Sequence, residues 1–412
     1  MAVGIPSQSI FLHPKMSFAS NKPPPPLDDP SVSDPLDCPP LRWGMISCGR
    51  VCHDFCLALR HVPSAQVVAC SARDLARAHE FASKHAIPKA YGSYEELVQD
   101  EDVEIVYVGN VHSFRKETVE MCLRANKHVL VEKPFACTLA DAEYLMSFAK
   151  ERNLFIMEGM WTRFFPAVEQ ARRLALQEGV LGHVVSVFSD FNFNANDSEI
   201  YPTSFFYNRK LGGGATLLTG PYPITVATLF FKGADPSAVK VTGQYDEQTG
   251  VDLQAAVVLA FSPKEDDTTS ANESYDAPKL EGRGVACLSY GMLGESEETT
   301  VVVGTKGRLT IGTPSHCPTQ IKVCLKAEGR GQAAKEEIYN YELPLNTPEI
   351  DAAGGYFYPN SAGFCYEAAA VARCIAANKT EPPQYTHAET LVGMKILEQA
   401  RLQLGVKDVY EA

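Results

Sequence analysis

The chain has 412 residues, 45 % hydrophobic and 21 % charged, the balance of a globular protein with room for two cores rather than one. A net charge of −13 excludes a general nucleic-acid-binding surface, and no run approaches the roughly 20 apolar residues of a membrane helix. Twelve cysteines form no CxxC pair, and several, such as Cys48, Cys70 and Cys122, sit in apolar runs; reduced thiols in a cytoplasmic protein are expected, with no metal site.

Residues 1–40 stand apart. A four-proline run, Pro23 to Pro26, is followed by Asp28, Asp29 and Asp34, and no apolar periodicity spans the stretch. A disordered tail is expected there, with neither the arginine nor the long apolar segment of a targeting signal. From Leu41 strands alternate with helices: strands at 42–46, 67–70, 103–108, 128–131 and 154–157, helices at 51–59, 75–85, 95–98, 116–125 and 139–152. That rhythm predicts a doubly wound parallel sheet of the Rossmann type over residues 41–165. After Phe165 strands come in series, at 184–188, 239–244, 253–261, 285–290, 299–303, 308–311 and 321–326. They predict an α+β domain over 166–412 with a mostly antiparallel open sheet. A polar surface insertion is expected at 264–284, and two closing helices at 366–377 and 388–404, the second stopping before Gly405.

The first strand runs into Ser47-Cys48-Gly49-Arg50-Val51-Cys52, where a dinucleotide fingerprint would read G-x-G-x-x-G/A. Only Gly49 of the three glycines remains, yet a backbone approaching a pyrophosphate at a helix N-terminus needs little more. Ser47, Gly49, Arg50 and Val51 are the candidate loop contacts. Where an NAD site carries Asp or Glu at the end of the second strand, this chain has Ser71-Ala72-Arg73. A hydroxyl and a forked guanidinium suit a 2′-phosphate, so NADP is expected ahead of NAD, with Asp74 reserved to cap the next helix.

Val131-Glu132-Lys133-Pro134-Phe135 follows a strand, and a lysine at the C-terminal end of a Rossmann strand faces the ligand crevice. With the Rossmann unit, Glu-Lys-Pro resembles the signature of the Gfo/Idh/MocA oxidoreductases. The resemblance spans nearly all of 41–407 and includes Gly109-Asn110-Val111-His112, the run from Met157 to Pro166, Leu211 to Ala215, Gly304 to Gly307 and Tyr366-Glu367-Ala368. The Trp161 to Pro166 run is similar to a branch of dimeric dihydrodiol dehydrogenases and NADP-dependent D-xylose dehydrogenases.

The resemblance implies that Lys133 lies beside the nicotinamide ribose and that Tyr222, in Leu218-Thr219-Gly220-Pro221-Tyr222, takes the acid/base position, its high phenol pKa helped down by the Lys133 ammonium. It adds Asn110, His112, Glu132, Trp161 and Arg163 to the cofactor contacts, and Trp161, Leu218 and His316 to the substrate pocket. It implies a small-molecule substrate, an aldose or cyclic trans-dihydrodiol, and allows a homodimer; nucleic acid and membrane are not expected partners. The chain departs from the family pattern at Leu218 (an aspartate there), at His316 (often Trp), at Pro359 (often Asp) and at Arg115 (the second histidine of His-x-x-His). Leu218 and Pro359 leave open an NADP-binding sensor without turnover; Lys133 and Tyr222, both retained, favour the enzyme.

Overall fold

The computed structural model describes residues 17–18, 22–195, 200–263, 280–327, 329 and 332–410. Six parallel strands form the first sheet, in the spatial order Lys89–Tyr91, Ala65–Ser71, Leu41–Ile46, Ile105–Val108, His128–Glu132, Ile156–Gly159. The order reverses between Leu41–Ile46 and Ile105–Val108, which opens a crevice at the strands' carboxyl ends. Trp43, Met45 and Ile46 are fully buried because helices cover both faces of the sheet. The short strand Lys89–Tyr91 went unpredicted; its three residues are only half-buried and carry no apolar run.

The second sheet has nine strands, counting the two-residue strand Ser17–Phe18 at one edge. From the strand Gly307–Ile311 to its other edge the order is Gly307–Ile311, Thr300–Gly304, Val184–Asn192, Gly284–Gly291, Val251–Phe261, Ala238–Asp246. All pairings are antiparallel except Val184–Asn192 with Gly284–Gly291, and Ser17–Phe18 with Lys335–Asn340. The buried helix Pro221–Phe230 packs on one face of the sheet, and Val187, Val257 and Leu288 point into that core. The insertion expected at 264–284 lies mostly outside the described residues; 280–284 return into the strand Gly284–Gly291. The last helix, His387–Gln403, ends as expected, with Gly405 at φ +78° and its N–H bonded to Leu402 O.

Residues 22–40 correct the expectation of a disordered tail; residues 1–16 and 19–21 lie outside the described part. The Asp28 side chain is fully buried and takes the Arg373 Nε at 2.5 Å and the Gln384 amide at 2.6 Å. Arg373 also donates to the carbonyls of Pro35 and Asp37. The segment has no helical or strand period because a buried ion pair, together with the buried Pro24 and Pro26, holds it to the helix Phe364–Ala376.

Candidate active site

The crevice begins at the glycine loop. Gly49 caps the helix Arg50–Leu59, no side chain caps it, and no acidic residue stands in its first turn. Gly49 has an ordinary φ of −89°, and a Cβ there would meet only Ser47 Oγ at 3.7 Å. Neither packing nor conformation asks for glycine, so the open space and uncapped N–H groups fit an approaching pyrophosphate. Ser47, where a glycine is usual, adopts φ +80° and anchors its N–H on Ser71 O at 3.0 Å. Cys52 replaces the third glycine without clash because the facing residue is Gly109, whose missing Cβ leaves room for the Cys52 sulfur. Arg50 and Val51 stand at the helix start, exposed and half-buried.

At the end of the second strand only half of the expected pair faces outward. Ser71 is fully buried, and its Oγ has no hydrogen-bond partner among the described residues. Ser71 thus lies beneath the loop, and only its backbone carbonyl, bonded to Ser47 N, is engaged there. Arg73 is exposed, with its guanidinium 5.5 Å above the Phe114 ring, and Asp74 caps the next helix through Ala76 N at 2.8 Å.

Lys133 follows the strand His128–Glu132 on a turn with a cis bond to Pro134. Four backbone groups around it are held by buried side chains: Lys133 N, Phe135 N, Glu132 O and Pro134 O. Glu132 Oε2 accepts from Lys133 N at 3.1 Å, and its Oε1 from the Tyr107 hydroxyl at 2.6 Å. Glu158 accepts from Phe135 N at 2.9 Å and from the Tyr385 hydroxyl at 3.0 Å. Burial raises the Glu158 carboxyl to about 7. The Lys133 ammonium donates to Leu218 O at 2.8 Å and stands 4.6 Å from the centre of the Tyr222 ring. Burial pulls Lys133 down to about 8, while burial and the Glu132 charge push the Tyr222 hydroxyl well up. The lysine thus sits over the ring face, its pKa drawn down by desolvation while that of the Tyr222 hydroxyl is driven up.

Tyr222 belongs to an aromatic wall. Its ring lies 4.8 Å from Phe191 and 5.1 Å from His316, and Trp161 lies 6.0 Å from His316 and stacks on Phe364 at 4.2 Å. The His316 Nδ1 meets Glu298 at 2.9 Å, and burial outweighs that carboxylate to lower the imidazole's pKa. Leu218 completes this apolar side, buried beside the lysine its carbonyl holds. Pro359 sits on a segment tied to the glycine-loop helix by Asp54, which accepts from Phe357 N, Tyr358 N and the Ser361 hydroxyl at 2.7 to 3.0 Å.

Asn110 and His112 reach the same end of the crevice, but both are buried and engaged, Asn110 with Thr118 at 2.8 Å and His112 Nδ1 with Gly212 O at 2.8 Å. Gly212, at φ +78°, lets that carbonyl approach before the turn into Ala215–Leu218. Arg163 is buried and bound to Glu389 at 2.5 Å and to Thr225 O, tying the Trp161 turn to the last helix. Phe191 and Glu298 escaped the sequence reading because each comes to the site from a strand or loop with no motif of its own.

Comparison with known proteins agrees with this geometry. Residues 41–160 match the model of an oxidoreductase family with an NAD-binding Rossmann fold, and 168–310 match the Gfo/Idh/MocA C-terminal domain. The trans-1,2-dihydrobenzene-1,2-diol dehydrogenase of Danio rerio is 36 % identical over 370 residues, covering 89 % of this chain and 97 % of the relative. That of Sus scrofa is 37 % identical over 369 residues, covering 89 % and 97 %. Among solved structures, a 3-ketoreductase from Actinomadura kijaniata in complex with NADP and TDP-benzene superposes with a TM-score of 0.68 at 23 % identity, covering 88 % of this chain and 98 % of that one. A levoglucosan dehydrogenase in complex with NADH and levoglucosan superposes with a TM-score of 0.71 at 17 % identity, covering 90 % and 100 %. Two family models in succession, and full-length relatives above a third identity, place the chain: it is an oxidoreductase of the Gfo/Idh/MocA family.

Proposed function

We propose that the protein is an NADP-dependent dehydrogenase acting on a ring-borne secondary alcohol, with cyclic trans-dihydrodiols ahead of aldoses such as D-xylose. The observation that carries this reading is the placement of a buried lysine, its pKa pulled down to about 8 by desolvation, over the face of Tyr222 inside a wall of aromatic rings. The nicotinamide supplies the hydride acceptor; the chain supplies position and proton transfer. Trp161, Phe191, Tyr222 and His316 offer a flat apolar substrate ring its contacts. Leu218, in place of a carboxylate, favours a carbocyclic diol over a polyhydroxylated sugar. The Tyr222 hydroxyl hydrogen-bonds the reacting oxygen, and neutral Lys133 takes up the proton released as the carbonyl forms.

Ser47, Gly49, Arg50 and Val51 would hold the pyrophosphate, and Glu132 and Trp161 would line the nicotinamide end. Asn110 and His112 would shape that end through their backbone and packing. Arg73 supports NADP over NAD, since an exposed guanidinium without a neighbouring strand-end carboxylate favours a 2′-phosphate. A homodimer through the outer face of the second sheet fits an apolar row there, in which Phe188, Val258 and Val285 are 48, 43 and 39 % exposed. A cytoplasmic location is part of the proposal, in keeping with twelve free cysteines.

The test is a screen of dihydrodiols and aldoses with NADP⁺ and NAD⁺, following absorbance of the reduced nicotinamide. Turnover of a dihydrodiol with NADP⁺ is expected; no turnover of any diol or aldose with either nucleotide would overturn the proposal.

A further inference from the structure

Arg115 stands where the family pattern has a histidine, and it does not face the crevice. It opens the helix Arg115–Arg124, is 4 % exposed, and spends its guanidinium on three main-chain carbonyls. Nε donates to Asn110 O at 3.1 Å, and one terminal nitrogen donates to Glu132 O at 2.7 Å and Pro134 O at 2.5 Å. The last two carbonyls flank Lys133. One planar fork thus ties the loop after the strand Ile105–Val108 to both sides of the lysine.

We propose that Arg115 is the positioning residue for Lys133, gripping the carbonyls before and after it so that the ammonium is aimed at Leu218 O and the Tyr222 ring. A histidine has no fork that spans two carbonyls while reaching a third, and a lysine has no planar donor set. Buried carbonyls left without donors would draw the turn toward other partners, moving Lys133 relative to the reacting oxygen. The guanidinium also sets the local field. Lys133 faces Glu132 and Glu158, which favour its charge, and Arg115, which disfavours it; His112, His316 and Tyr222 also stand near it.

The inference rests on Lys133 being the acid/base group, so the experiment reads the turn and the chemistry separately. Arg115→Met and Arg115→Lys are compared with the parent by amide hydrogen exchange over residues 132–135, without substrate, and by pH profiles of kcat and KM on a working alcohol. For Arg115→Met, exchange in the turn should accelerate, kcat should fall by about 10²-fold with KM little changed, and the inflection near 8 should rise as a like charge is lost. For Arg115→Lys the charge stays, so the inflection should hold while exchange and kcat still suffer. Should Arg115→Met fail to fold, Arg115→Lys alone decides: parental exchange and kcat in that variant would overturn the proposal. Faster exchange with undiminished kcat would show that the grip does not serve the chemistry, and would overturn it too. Failure of the underlying reading has its own signature, full turnover in Lys133→Met.

Discussion

Two surfaces meet at Lys133, and they are built in opposite ways. On the nucleotide side, buried charges hold main-chain atoms: Arg115 takes carbonyls, and Glu132 and Glu158 take N–H groups. On the substrate side, rings pack against rings, and the polar links are few, chiefly His316 to Glu298. Main-chain anchoring by buried ions is directional and costly to break, so it fixes geometry. Ring packing is tolerant of exchange, so that wall can change its substrate while the turn beside it stays fixed. The departures at Leu218, His316 and Pro359 all fall on the tolerant side or the strap beside it.

The largest effect that would sharpen this contrast is loss of the lysine itself. Lys133→Met should lower turnover by about 10²–10⁴-fold. The parent's rate of alcohol oxidation should rise with pH through about 8, as the ammonium gives up its proton and becomes a base. That inflection should vanish in Lys133→Met and persist, at reduced rate, in Tyr222→Phe. Stopped-time pH profiles decide it; an unchanged inflection in Lys133→Met would assign the titration to another group.

Buried charge holding main chain recurs where residues 22–40 dock, and there it should carry stability. Asp28→Ala leaves the Arg373 guanidinium buried without its carboxylate. A loss of about 3–5 kcal/mol is expected in denaturant unfolding. Deletion of residues 1–38 should be destabilising for the same reason, and equal midpoints for parent and truncation would show that the docked segment adds nothing.

Arg73→Ala, in the exposed part of the nucleotide side, should weaken NADP binding by about 1.5–3 kcal/mol and leave NAD binding nearly unchanged. Titration calorimetry with both nucleotides checks it, and parallel losses would mean that Arg73 does not meet the 2′-phosphate. Smallest is a change on the tolerant wall. Leu218→Asp leaves the carbonyl that holds Lys133 in place, so fold and nucleotide affinity should be kept. The new carboxylate should favour the ammonium and move the inflection above 8, with less than about a tenfold change in kcat/KM on a diol. A collapse of nucleotide binding would instead join the two surfaces into one cooperative unit.

By itself the sequence determined the fold class, a doubly wound parallel sheet followed by a mostly antiparallel one, and it marked Lys133 and Tyr222 as the pair to look for. Those properties are written in local periods and in a contiguous signature: buried parallel strands need unbroken apolar runs, and Glu-Lys-Pro stands next to the strand it ends. Only the tertiary structure decided that Ser71 and Arg163 are buried, that Asp28 fastens the segment before the first strand, and that Arg115 grips the carbonyls on either side of Lys133. A charged or polar residue looks alike in sequence whether solvated or buried, and its partner lies far along the chain: Arg163 with Glu389, Asp28 with Arg373. The pKa ordering of Lys133 and Tyr222 is equally a product of packing, because desolvation is set by every element that closes over the pair.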